Sequence, residues 1–171
     1  MVSAAPAVPG PTGPPRCVVH VDLDCFYCQV EQLRLGIQPG TPCAVQQWEG
    51  LIAVNYEARA QGVSRHMRVA EAQKVCPGIV LVHVETIGDQ SNGGGEIGGG
   101  QHGQWQQAAS QRSRLKEKAC LERYRCASRA IIGLIHSTVA DVAVIEKASI
   151  DEVYLDLTRM VDEELRIRGG R

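Results

Sequence analysis

Val18-Val19-His20-Val21-Asp22-Leu23-Asp24-Cys25-Phe26-Tyr27 sets an apolar, β-branched run directly against two aspartates. The valines at 18, 19 and 21 predict a buried strand. A folded core excludes an unpaired carboxylate, because burying one is very costly. Strand side chains alternate between faces, so Asp22 and Asp24 are expected to point the same way. Two carboxylates on one face repel each other unless a cation or proton stands between them. A second apolar strand, Glu152-Val153-Tyr154-Leu155-Asp156-Leu157, follows Asp151 and so opens on another acidic pair, Asp151-Glu152. If the two strands neighbour each other, Asp22, Asp151 and Glu152 converge. Three carboxylates on one sheet describe a site for divalent metal ions that handle phosphate.

Working outward, the chain of 171 residues is long enough for one domain. Its 44% hydrophobic and 22% charged residues give an ordinary globular balance. A net charge of -1 offers no global sign of nucleic-acid binding, so any basic surface has to be local. No run of about 20 apolar residues occurs, and no membrane span is expected. Residues 1–15 carry no charged side chain and are broken by five prolines, which predicts a disordered tail rather than a secretory signal.

Seven cysteines, an odd number, predict reduced thiols. Cys25-Phe26-Tyr27-Cys28 has the C-x-x-C spacing of thiol oxidoreductases at a strand-to-helix junction. That reading leaves the aspartates unexplained, and no second C-x-x-C completes a zinc site. Cys25, Cys28 and Cys43 are expected to be small core residues.

A helix is expected from Phe26, with Phe26, Val30 and Leu33 on its core face. Two short strands, residues 43–47 and 51–56, form a hairpin around Trp48-Glu49-Gly50. Residues 57–61 predict a helix stopped by Gly62, and residues 68–75 another, followed by a strand over 79–84. Residues 88–111 hold eight glycines and six glutamines without apolar period, the composition of a flexible insert. Arg112 to Arg129 then carries seven Lys/Arg against Glu117 and Glu122, a local excess of five positive charges. A solvated helix face is the ordinary meaning of such a run. Leu121, Tyr124, Ile131, Ile132 and Ile135 supply a stripe for packing. A strand over 142–146, the strand from Glu152 and a helix over 159–168 complete the chain.

Four motifs in order resemble the Y-family, UmuC-type, translesion DNA polymerases. They are Val-Asp-Leu-Asp-Cys-Phe-Tyr (21–27), Asn-Tyr-Glu-Ala-Arg (55–59), Gly-Val-Ser-Arg (62–65) and Ser-Ile-Asp-Glu-Val-Tyr-Leu-Asp-Leu-Thr (149–158). The resemblance implies an α/β (α+β) fold over residues 16–171, with a mixed palm-type sheet bearing the carboxylates, flanking helices and a small fingers subdomain near residues 43–78. It implies that Asp22, Asp151 and Glu152, with the carbonyl of Leu23, ligate two Mg²⁺, for which Mn²⁺ can substitute. Tyr27 matches the steric gate against the incoming sugar. Tyr56, Arg59 and Arg65 match contacts to the triphosphate or base of a deoxynucleoside triphosphate, for which arginine forks and a phenol are chemically suited. Gln47 matches a fingers residue near the template base. Asp24 is carried by the family without being a direct ligand. Primer–template DNA is the implied partner, together with a replication clamp reached through a C-terminal region beyond Arg171, and the implied location is the nucleus.

Two other functions use some of the same residues. HAD phosphatases also open on an apolar strand ending in Asp-x-Asp, but want Thr or Val two places after the second aspartate, where this chain has Phe26. They also have no need of Ser149 to Leu157. The other is a palm and fingers fragment that binds metal and nucleotide without synthesis, since the family continues with more palm, a thumb and a little finger.

Overall fold

The computed structural model describes residues 15–87 and 118–169. Nearly all of the proline-rich tail, the whole Gly/Gln-rich insert and residues 112–117 of the basic stretch lie outside the described residues. The chain divides into two units, residues 1–22 with 133–171 and residues 23–132.

The first unit is built on an antiparallel sheet. Strand β1 (Val18–Asp22) pairs with β6 (Glu152–Asp156), which also pairs with β5 (Val144–Lys147), in the order β1-β6-β5. The β1–β6 register runs from Val18 opposite Asp156 to Asp22 opposite Glu152. Val21 faces Val153 and Val19 faces Leu155, and Val153 and Leu155 are buried. The alternate rungs carry His20 opposite Tyr154 and the carboxylate pair. β1 is not the buried strand that its valines suggest, since Val18 is 49% and Val19 38% exposed. It is an edge strand among the described residues, with β6 on one side only. Helix α5 (Thr158–Gly169) follows β6. Asp156 holds its start, accepting from Thr158 N at 3.0 Å and from Thr158 Oγ1 at 2.5 Å, and it pairs with Arg16.

The second unit contains the mixed sheet, in the order β3-β2-β4. β2 (Cys43–Gln47) is central, antiparallel to β3 (Gly50–Val54) and parallel to β4 (Val80–His83), with a register shift at Val45/Gln46. Ala44, Leu51 and Val54 from the sheet join Ala58, Val63, Ala72 and Cys76 in one buried cluster. The last four belong to α2 (Tyr56–Ala60), α3 (Val69–Val75) and the turns that follow them. β3 ends at Val54, earlier than the expected 56, because Asn55 leaves the strand to cap α2. Its Oδ1 accepts from Cys43 N at 2.9 Å and Ala58 N at 3.0 Å, and its Nδ2 donates to Thr41 O at 2.9 Å.

Helix α1 (Phe26–Leu35) starts after Cys25, whose left-handed backbone (φ 47°) turns the chain out of β1, and it stops at Gly36 (φ 63°). Its buried residues are Phe26, Cys28 and Glu31, whereas Leu33 is 85% exposed. The expected Phe26/Val30/Leu33 face is therefore corrected: a buried carboxylate at Glu31, not an apolar side chain at 33, determines which side turns inward. Helix α4 (Glu122–Val139) buries Tyr124 and Ser128, one turn apart.

Candidate functional site

In the first unit, the sheet register sets Asp22 directly across from Glu152, with Asp151 one residue earlier in the bend before β6. Like charges on one antiparallel rung destabilise the pairing. Glu152 Oε1 lies 3.3 Å from His20 Nε2, and the His20 ring stacks on Tyr154 with centroids 4.6 Å apart. Asp151 Oδ1 accepts from Ser149 Oγ at 2.7 Å. Among the described residues no three His, Cys, Asp or Glu side chains stand close enough together to hold a metal ion. The expected convergence is thus present as a facing pair, with the third carboxylate turned to a serine.

In the second unit, the strand alternation expected to align Asp24 with Asp22 does not reach it, because β1 ends at Asp22 and Asp24 lies in the turn before α1. The turn gives Asp24 a different task. Its Oδ1 accepts from the Tyr56 hydroxyl at 2.7 Å, and its carbonyl accepts from Gln29 Nε2 at 2.5 Å. The hydrogen bond to Asp24, and then the charge of that carboxylate, push the Tyr56 phenol up, so Tyr56 remains a donor. Tyr56 is 56% exposed on α2, not a strand core residue. Arg59, one turn on, donates from Nε to Val54 O at 2.9 Å and lies 5.2 Å from the Tyr56 ring centroid. Asn55 aims both side chains by capping their helix; sequence reading quoted Asn55 only as part of a motif, although a capping residue before Tyr-Glu-Ala-Arg was a visible signal. Arg65 is exposed in the turn between α2 and α3, and Gln47 closes the β2–β3 hairpin opposite Gly50. Among the described residues neither Arg59 nor Arg65 is paired with a carboxylate.

Tyr27, at the start of α1, stacks on Tyr124 of α4 with centroids 4.0 Å apart and planes 10° apart. Tyr124 is fully buried and its hydroxyl donates to Glu31 Oε1 at 2.9 Å; burial, and then Glu31, push its phenol well up. Glu31 also accepts from Arg123 at 3.0 Å and Arg34 at 2.7 Å, and Arg123 reaches Glu85 as well. Partial burial works against the charge of Arg123, but Glu31 and Glu85 outweigh it and hold its pKa above the ordinary value. Sequence reading missed this support of Tyr27, because Arg123 and Tyr124 lie 92 and 93 residues from Glu31. The same bonds, with Arg125 and Arg129 on Glu122, tie up three cations of the basic stretch.

Of the C-x-x-C pair only Cys28 is the core residue expected; Cys25 is half-buried, because it makes the left-handed turn into α1. Cys28 and Cys43 are fully buried, and the shared hydrogen bond with Cys43, then burial, push the Cys28 thiol up, opposite to what a redox nucleophile needs.

Residues 21–167 match the model of the impB/mucB/samB family. The chain is 40% identical over 161 residues to N-acetyltransferase eso1 of Schizosaccharomyces pombe, covering 88% of this chain and 16% of that protein. It is 36% identical over 163 residues to DNA polymerase eta of Saccharomyces cerevisiae, covering 90% and 24% respectively. To DNA polymerase iota of Homo sapiens it is 32% identical over 159 residues, 93% of this chain and 16% of that one. The chain spans no more than 24% of any of these three relatives. The resemblance carried by the four motifs is borne out.

Proposed function

This chain belongs to the impB/mucB/samB family, and on that premise we propose that it is the metal- and nucleotide-binding part of a translesion DNA polymerase, serving template-directed nucleotidyl transfer opposite damaged bases. The observation that carries the reading is the carboxylate rung of Asp22 and Glu152. The donor set fits a hard divalent cation: two oxygen-bearing anions face each other on paired strands, and positive charge between them relieves their repulsion. Asp22, Glu152 and Asp151, with the Leu23 carbonyl, would hold two Mg²⁺, or Mn²⁺ in their place. When bound, such ions activate a hydroxyl nucleophile and stabilise the departing pyrophosphate.

The remaining roles fall to the chain's own side chains. Tyr56, whose single hydroxyl proton rests on Asp24, turns that proton to a phosphate oxygen when nucleotide binds and releases the carboxylate. Arg59, anchored by Nε to Val54 O, keeps its other two nitrogens for the triphosphate. Arg65 adds a second guanidinium for phosphate or base, and Gln47 meets the template base from the fingers subdomain near residues 43–78. The Tyr27 ring, backed by Tyr124, closes the space next to the sugar and excludes a 2′-hydroxyl. Primer–template DNA and deoxynucleoside triphosphates are the substrates, and the nucleus is the place of action.

Calorimetry with dATP and Mg²⁺ tests the reading on the whole chain. Wild type is expected to bind nucleotide in a metal-dependent way, and Asp151→Asn/Glu152→Gln to lose that dependence. Equal metal-dependent affinity in both proteins refutes it.

A further inference from the structure

The sheet of the first unit has a second outer strand, β5, on the side of β6 away from β1. Ala148 N donates to Glu152 O at 3.0 Å, and the register runs on with Glu146 opposite Tyr154 and Val144 opposite Asp156. Bonded and non-bonded rungs alternate along an antiparallel pair, so Val144 and Glu146 exchange the ladder bonds with β6. The N–H and C=O of Ile145 therefore point to the open edge, where no strand takes them among the described residues. Such an edge is a template for one more strand.

Beside the start of β5 lies a cavity of about 740 Å³, between the turn after α4 and the first turns of α5. Ala140, Val142, Ala143 and Val144 give it an apolar side, and Val144 is 73% exposed. Asp162 stands on its α5 side. Charge narrows what can enter. Each cation of this surface is engaged: Arg16 with Asp156, Arg166 with Glu163, Arg159 with the Asp141 carbonyl, and Lys147 as well. The side chains of Asp141, Glu146 and Asp162 are exposed and hold no hydrogen bond or ion pair among the described residues. The uncommitted charge is therefore negative, which repels a phosphate backbone and attracts Lys or Arg.

We infer that the β5 edge binds a basic, extended peptide of a partner protein as an added strand. The peptide backbone pairs with Ile145, and its side chains meet those of β5 across the new pair. Val144 and Glu146 lie on one face, two residues apart, so a peptide residue opposite Glu146 is Lys or Arg and the one opposite Val144 is Val or Ile. A second cation, two places beyond the valine, passes its apolar stem along the cavity and ends at Asp162 and Asp141. The pattern is Lys/Arg-x-Val/Ile-x-Lys/Arg, which reads the same in either strand direction. This interaction is separate from the proposed nucleotide chemistry and needs no metal ion.

Fluorescence anisotropy of the labelled peptide Thr-Lys-Thr-Val-Thr-Lys-Thr, titrated with the whole chain at low salt, tests the inference. Binding is expected, and amide exchange followed by NMR should show the Ile145 N–H protected by saturating peptide. The same peptide with proline at its third and fifth places keeps the charges and the valine but loses the backbone donors, and is expected not to bind. A version with Glu for both Lys is expected not to bind either. Glu146→Lys and Asp162→Lys should each weaken binding about threefold, and together about tenfold. Both positions are exposed and free of partners, and dichroism verifies the fold of each variant. No binding of the basic peptide to wild type overturns the inference. Equal binding of the proline or the Glu version, an Ile145 amide that stays unprotected, or unchanged affinity in the folded double variant overturns it as well.

Discussion

Glu31→Gln is expected to destabilise the second unit by about 2–4 kcal/mol, although it changes one atom's identity and almost no volume. Glu31 is fully buried and accepts from three donors. Arg34 is 41% exposed, so its bond contributes at most about 0.5 kcal/mol. The Tyr124 hydroxyl is fully buried, and a buried donor deprived of its charged acceptor costs about 1–3 kcal/mol. Removing one partner of a buried ion pair costs about 3–5 kcal/mol. Here that figure is an upper bound, because Arg123 is 22% exposed and keeps Glu85. The new amide also turns an NH₂ group toward guanidinium donors. Urea unfolding followed by Trp48 fluorescence in the Trp105→Phe background reports on this unit, since Trp48 lies within it. Glu31→Gln/Tyr124→Phe should lose less than the sum of its single variants, because the two share one bond. A loss below about 0.5 kcal/mol, or strict additivity, refutes the reasoning.

Asp22→Asn removes one of two facing carboxylates, so it should stabilise the chain by about 0.2–1 kcal/mol while abolishing metal-dependent nucleotide binding; a loss of stability in a thermal melt contradicts this. Thr158, and then Arg16, hold Asp156 down to about 2. A depressed carboxylate stabilises fully above its unfolded value near 3.9, and that contribution disappears as the pH falls through about 2. The melting-temperature gap between wild type and Asp156→Asn should therefore be constant above about pH 5 and close toward pH 2, and a gap independent of pH contradicts the capping role. Iodoacetamide at neutral pH should modify exposed Cys126 well before Cys28 or Cys43, as read by peptide mass; early modification of Cys28 would revive the redox reading of the C-x-x-C pair.

How much was legible in the sequence differs from element to element for physical reasons. Valine-rich runs, a short polar turn and helix-stopping glycines are local signals, and they located β1, the β2–β3 hairpin, α1 and β6 within a residue or two. The four motifs supplied the family. Exposure was not local: whether Val18 and Val19 are buried depends on how many strands flank β1, which no alternation reveals. Residue 142 was assigned to a strand because valine favours one, yet its N–H bonds to Val139 O in the turn after α4, and β5 begins at Val144. Both Glu31 and Tyr124 read as ordinary helix residues until the fold brings them together. In the candidate site, the facing of Asp22 and Glu152 followed from pairing two acid-bearing strands. The Asp24–Tyr56 bond did not, because it depends on where β1 stops and the left-handed turn at Cys25 begins.

The pairing of β1 with β6 has a consequence for the order in which the protein is made. Val18 emerges from the ribosome long before its partner Asp156, and closing a loop of that length costs roughly 4 kcal/mol beyond a constant term. The second unit is one continuous stretch of chain, residues 23–132, and its hairpin and short helices are contacts of low sequence separation. Such contacts form early, whereas long-range pairing waits. During synthesis the β3-β2-β4 sheet can therefore assemble while β1 is still an unpaired strand and Asp22 has no facing acid. The electrostatic penalty of the carboxylate rung falls on the later pairing of β1 with β6 in the first unit, after the second unit is in place, where free divalent cation would speed closure.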